Sequence, residues 1–218
     1  MKIKEYIFSI FPWFFPKKRK KVRHNLELLL QERWQFVTEF LGVQNLQKPK
    51  LRVWTMTGPQ YFRGLITVSY SIHPKGEQDR TKTFDHEIAH HIQHRKNPNI
   101  KDNYSFEFFS FVYWAVTGKV KFGLANRAFQ EGFASYVAYL TSGKITPRVE
   151  KGIWMVQEQR RLKMLLKDPE VLPYVLGYLG FLAIAETTSK QHAIQLGLSS
   201  NISSWNSERE KSITVKNK

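Results

Sequence analysis

The sequence predicts an α+β protein, a small antiparallel sheet followed by a mainly helical remainder. Two observations carry this. Between Gly64 and Ile72, Ile66, Val68, Tyr70 and Ile72 alternate with Leu65, Thr67, Ser69 and Ser71, the period of a half-solvated strand. From Thr81 onward the apolar spacing turns helical and stays so almost to the end.

The elements follow in order. Asn25 is placed to cap a helix over about 26–41, with Leu26, Leu29, Leu30, Val37, Phe40 and Leu41 as an apolar stripe. Arg33 interrupts that stripe and Gly42 stops the helix. Leu51–Met56 is a short strand and Gly64–Ile72 a longer one. A helix over about 81–94, capped by Thr81 or Thr83, ends at Asn97-Pro98. Further helices are predicted near 104–117, 126–141, 147–167 and 170–196, the last with Pro173 in its first turn. The organisation expected is an aromatic and basic arm over 1–24, a folded domain over 25–198 and a polar, partly disordered tail over 199–218.

Composition narrows the chemistry. With 218 residues, 42% of them apolar, the chain can bury one sizeable core. Cysteine is absent, so thiolate zinc sites, disulfides and cysteine nucleophiles are excluded, and a transition metal must be held by imidazole and carboxylate. Thirty-four Lys and Arg against eighteen Asp and Glu give a net charge of +16, which favours an anionic partner. No apolar run reaches the roughly 18 residues of a membrane span. In the arm, the aromatic residues 6–16 precede six cations between Lys17 and Arg23. A signal peptide carries its charge ahead of its apolar core, so a cleaved signal is not expected. The arrangement suits an anionic membrane surface or nucleic acid, and the location expected is cytoplasmic, with peripheral membrane association through the arm.

Four of the seven histidines fall within residues 86–94, FDHEIAHHIQH being the surrounding stretch. On a helix, His86 and His90 are one turn apart on one face, so both can reach one ion. Glu87 lies about 100° round, where a carboxylate takes a proton from a water at the ion without becoming a ligand. His94 is two turns from His86, roughly 12 Å along the axis, and His91 is rotated away, so neither is assigned as a ligand. Besides His24, His73 and His192, the candidate third ligand is Glu131. This is a carboxylate in the apolar stretch Ala128–Val137, where a cation would offset its burial.

The pair HEIAH and QEGFASYV resembles the gluzincin clan of zinc peptidases, and EGFASYV is similar to the zinc aminopeptidases related to leukotriene hydrolase. The resemblance implies a zincin-like, thermolysin-type catalytic domain holding Zn2+ through His86, His90 and Glu131, with Glu87 as general base and acid. Tyr174-Val175-Leu176-Gly177 is similar to a family phrase whose tyrosine stabilises the oxyanion, which implies a catalytic role for Tyr174. Tyr178 is its competitor. Ser135, one turn past Glu131, is placed to orient a ligand. The clan's strand ahead of the motif helix is an edge strand that pairs with extended substrate, and Gly64–Ile72 would be that strand. This implies an endopeptidase acting on extended or unfolded polypeptide.

The likeness has limits. Forty residues separate His90 from Glu131, more than in the aminopeptidases, and no Gly-x-Met-Glu-Asn phrase is present to hold a free amine. The whole is similar to a compact minigluzincin. Three alternatives stand beside it. An ImmA/IrrE-like regulatory protease expects Asn where Ser135 stands. A SprT-like protease needs a third histidine shortly after the motif, and residues 95–130 have none. The third is a basic nucleic-acid- or membrane-binding module with a non-catalytic metal site. The segment 199–218, with Trp205, Glu208 and Glu210, is also a candidate for a latent enzyme's cleft-filling terminus.

Overall fold

The computed structural model describes residues 12–54, 59–70, 77–97, 100, 124–158 and 161–216. Its elements are a short 3-10 turn (Pro12–Phe14), α1 (Pro16–Phe40), β1 (Lys50–Trp54), β2 (Gln60–Phe62), β3 (Leu65–Ser69) and α2 (Glu77–Lys96). Then come α3 (Leu124–Ser142), α4 (Pro147–Gln157), α5 (Leu162–Leu165), α6 (Leu172–Thr187), α7 (Lys190–Ser199) and α8 (Ile202–Lys216). The class is α+β, mainly helical with one small sheet. The expected helix at 104–117 lies outside the described residues. Among the described residues no helix is long and apolar enough to cross a membrane. The chain divides into two compact units, residues 1–92 and 93–218, with the division inside the continuous helix α2.

In the first unit α1 is longer than its apolar stripe suggests. Pro16 opens it, since a proline at the first turn loses no helical hydrogen bond. The basic run therefore lies on the helix, and Asn25 sits inside it. Val22, Leu26, Leu30, Trp34 and Val37 form its buried face.

The sheet corrects two expectations. It is mixed: β3 pairs antiparallel with β2 and parallel with β1. Arg63 and Gly64 both have positive φ, 45° and 86°, as a two-residue hairpin between twisted strands requires, and this fixes the antiparallel pair. β1 takes the other edge of β3, with Lys50 N–H donating to Gly64 O at 2.8 Å. The order β1-β3-β2 makes β3 the central strand, so the segment expected to be a substrate-pairing edge has both edges occupied. Its alternation holds as far as Val68, with Ile66 and Val68 fully buried and Leu65 and Thr67 not, and stops at Ser69, which is buried between Val68 and Tyr70; residues 71 and 72 of the expected strand lie outside the described residues.

α2 begins at Glu77, four residues ahead of the expected cap. Thr83 is consequently mid-helix and its hydroxyl donates to Asp79 O at 2.8 Å. Among the described residues, the regular elements of the second unit are all helices. The predicted helix over 170–196 is two: Ser189 caps α7 by accepting from His192 N–H at 3.1 Å, which breaks the run at Thr188. The segment 199–218, expected as a partly disordered tail, carries α8, and Trp205 on it is fully buried. Its ring packs on Phe129 and Phe181 at 5.6 Å each. A residue so placed anchors the unit's core and cannot serve as a detachable plug; Glu208 pairs with Lys211 at 2.9 Å.

Candidate metal centre

The histidine helix owes its place in the first unit to a charge pair. Asp85, next to His86 and wholly buried, receives two parallel hydrogen bonds from Arg33 of α1, Nε and Nη2 each at 2.8 Å. A bidentate guanidinium–carboxylate pair fixes orientation as well as distance. Arg33, which interrupts the apolar stripe, is thus the residue that ties α1 to the motif helix. Phe84, Ile88 and Ile92 are fully buried on the same helix.

The two histidines expected to share an ion do face each other. His86 and His90 are both buried, and their Nε2 atoms are 3.2 Å apart. Two bonds of ~2.0–2.1 Å at a tetrahedral angle put ligand atoms roughly 3.3 Å apart, so this spacing fits a shared metal. Glu87 is buried beside them. His91, rotated away from this pair, has a structural place of its own. It is buried, its Nε2 lies 2.8 Å from Gln47 O, and its ring meets Trp34 and Tyr61 edge-on. It therefore holds the loop after α1.

In the second unit, Glu131 and Tyr174 are set by one helix crossing. Gly132 of α3 and Gly177 of α6 meet backbone to backbone, and a Cβ on Gly177 would overlap the Ala128 carbonyl oxygen. Only glycine permits that approach. Glu131 precedes one contact residue and Tyr174 lies one turn ahead of the other.

Arg148, at the start of α4, completes the group. Its Nη1 donates to Tyr174 Oη at 2.6 Å and its Nη2 to Glu170 Oε2 at 3.2 Å. Burial works against its charge, but Tyr174, Glu131 and Glu170 together hold its pKa above the usual value. A guanidinium only donates, so the Tyr174 oxygen accepts here and its own proton is directed elsewhere. The sequence carries no signal for Arg148, which reads as an ordinary residue in a helix's first turn. Tyr178 is set apart by burial, which pushes its pKa up to about 12, and it packs edge-on to Tyr139. Ser135 Oγ is buried one turn past Glu131, without a hydrogen-bond partner among the described residues. His94 Nε2 lies 3.1 Å from Gln130 Oε1, beside Glu131 and outside the ligand set.

His86, His90 and Glu131 form a group in which one ring nitrogen from each histidine and a carboxylate oxygen all lie within 4.8 Å of one another. Both histidines are buried and the glutamate partly so. Two imidazoles and a carboxylate are a donor set for a divalent transition metal and leave its identity open.

Compared with protein-family models, curated proteins and solved structures, the chain finds no match.

Proposed function

We propose that this chain is a zinc-dependent metallopeptidase hydrolysing peptide bonds of a polypeptide substrate. The observation that carries the reading is the grouping of His86, His90 and Glu131, with buried Glu87 next to the first of them. A zinc ion bound there would supply Lewis acidity and an acidified water. Glu87 accepts the proton of the attacking water and passes it to the leaving amine. Tyr174, its oxygen already accepting from Arg148, donates its proton toward the developing oxyanion. The resemblance to gluzincins supports zinc and this division of roles. Substrate pairing along β3 has no place in it, because that strand is internal.

The test separates metal binding from catalysis. The purified protein should hold zinc in the ratio of one ion per chain, and His90→Gln should lose it. Glu87→Gln should keep the zinc while casein or peptide cleavage drops by roughly 10²–10⁴. Tyr174→Phe should lower kcat by about 10² with KM little changed. A protein without zinc ends the proposal. Zinc bound equally by wild type and Glu87→Gln, with neither cleaving peptide, would make the site structural and the chain a basic binding module.

A further inference from the structure

We propose that the N-terminal end of α1 and the turn before it dock on an anionic phospholipid surface. The composition of this segment suits lipid and nucleic acid alike, and the proposed peptidase chemistry does not use it.

Two aromatic side chains just ahead of α1 are more than half exposed. Trp13 is 52% exposed and Phe14 71%, with ring centroids 6.3 Å apart. Pro16 then starts α1, and from Pro12 to Leu26 there is no acidic residue. The cations sort by direction. Arg19 and Arg23 act on the hydroxyl of Tyr70, where burial raises the pKa and these two charges work against the rise. Arg23 also bonds Glu27 at 2.9 Å. Lys17, Lys20 and Lys21 are exposed. Lys17, Lys21, His24 and Leu28 recur at helical spacing and line one outward stripe, opposite the buried residues Val22, Leu26 and Leu30.

This is the layout of an interfacial anchor, with apolar rings just ahead of α1 and ammonium groups behind them at headgroup depth. Lysines next to an anionic leaflet each strengthen attachment, and aromatic rings partition to the headgroup–acyl boundary. Duplex nucleic acid would use the lysines through its phosphates and leave Trp13 and Phe14 in water. The exposed pair therefore favours lipid over a duplex, and a single strand, whose bases would stack on the same rings, is separated from lipid by the oligonucleotide arm of the test.

The experiment uses the full chain and vesicles of phosphatidylcholine, with and without phosphatidylglycerol. Wild type should co-sediment with the anionic vesicles only, and added salt should release it. Lys17→Glu/Lys20→Glu/Lys21→Glu should weaken partition by roughly 100-fold. Trp13→Ala/Phe14→Ala should weaken it by about tenfold, and the tryptophan blue shift on vesicles should vanish in Trp13→Phe. Equal binding to neutral vesicles would overturn the proposal, as would full binding by the aromatic double variant. So would tighter binding of a single- or double-stranded DNA oligonucleotide through the same lysines. The salt titration of the wild type needs no variant and decides the charge dependence by itself.

Discussion

The two units position their candidate ligands by opposite physical means. In the first, the residue next to His86 is a buried carboxylate clamped by Arg33, so charge and hydrogen-bond direction hold the motif helix. In the second, the residue next to Glu131 is a glycine against another glycine, so bare backbone contact holds the helix that carries it. The charged solution is directional and costly to bury. The glycine solution is close-packed and has no slack. A charge clamp fails when one partner is left alone; a backbone contact fails when any atom is added.

The sharpest way to break this contrast is at the glycines. Gly177→Ala should destabilise the second unit by more than ~4 kcal/mol in chemical denaturation, because the added carbon lands on a carbonyl oxygen and not on a yielding side chain. A loss below ~1 kcal/mol would show that α3 and α6 separate cheaply.

Next comes the clamp. Arg33→Ala should cost about 3 kcal/mol by removing the bidentate cation from buried Asp85, whereas Arg33→Met/Asp85→Leu should stay within about 1 kcal/mol of wild type. If the double replacement is as damaging as the single one, hydrogen-bond direction at Asp85 matters more than its charge.

A smaller effect belongs to pH. Burial pushes Tyr136 and Tyr178 up to about 12 from 10. Below pH 10 they are protonated whether folded or not and contribute no slope. Between 10 and about 12 only the unfolded chain ionises, so stability falls with rising pH, by ~1.4 kcal/mol per unit for each tyrosine. Tyr136→Phe and Tyr178→Phe should each flatten the alkaline limb of a Tm-against-pH curve. The smallest change should come from the exposed Arg23–Glu27 pair on α1, where Arg23→Gln should move stability by less than ~0.5 kcal/mol.

The residues of the candidate centre were legible where a single helix carries the information. The i, i+4 spacing of His86 and His90 follows from helical geometry, and the observed facing of their Nε2 atoms repeats it. Glu131 was legible as a carboxylate in an apolar stretch. Sheet order was not, because whether β3 lies inside or at an edge depends on which strand meets its second side, a matter of distant pairing. Arg33 was seen but misjudged: a charge inside an apolar stripe looks like a flaw until its partner, fifty-two residues away, is known. Two local signals mark what the apolar spacing alone does not. Ser189 is a capping residue at a helix start, and Trp205 is a large apolar side chain in an otherwise polar segment, which marked 199–218 as packed. Arg148 left no local trace, since only the fold brings it to Tyr174.

The meeting of Gly132 with Gly177 has a bearing on ancestry. Neither position can compensate for a change at the other, because both are already at the smallest side chain there is. A relative that shares this crossing could drift at every neighbouring position and still be obliged to carry glycine at both. The linked pattern, Glu-Gly on one helix and Tyr-x-x-Gly on another, is therefore a fingerprint that should outlast overall similarity, and a search for distant kin is best anchored on the two glycines together.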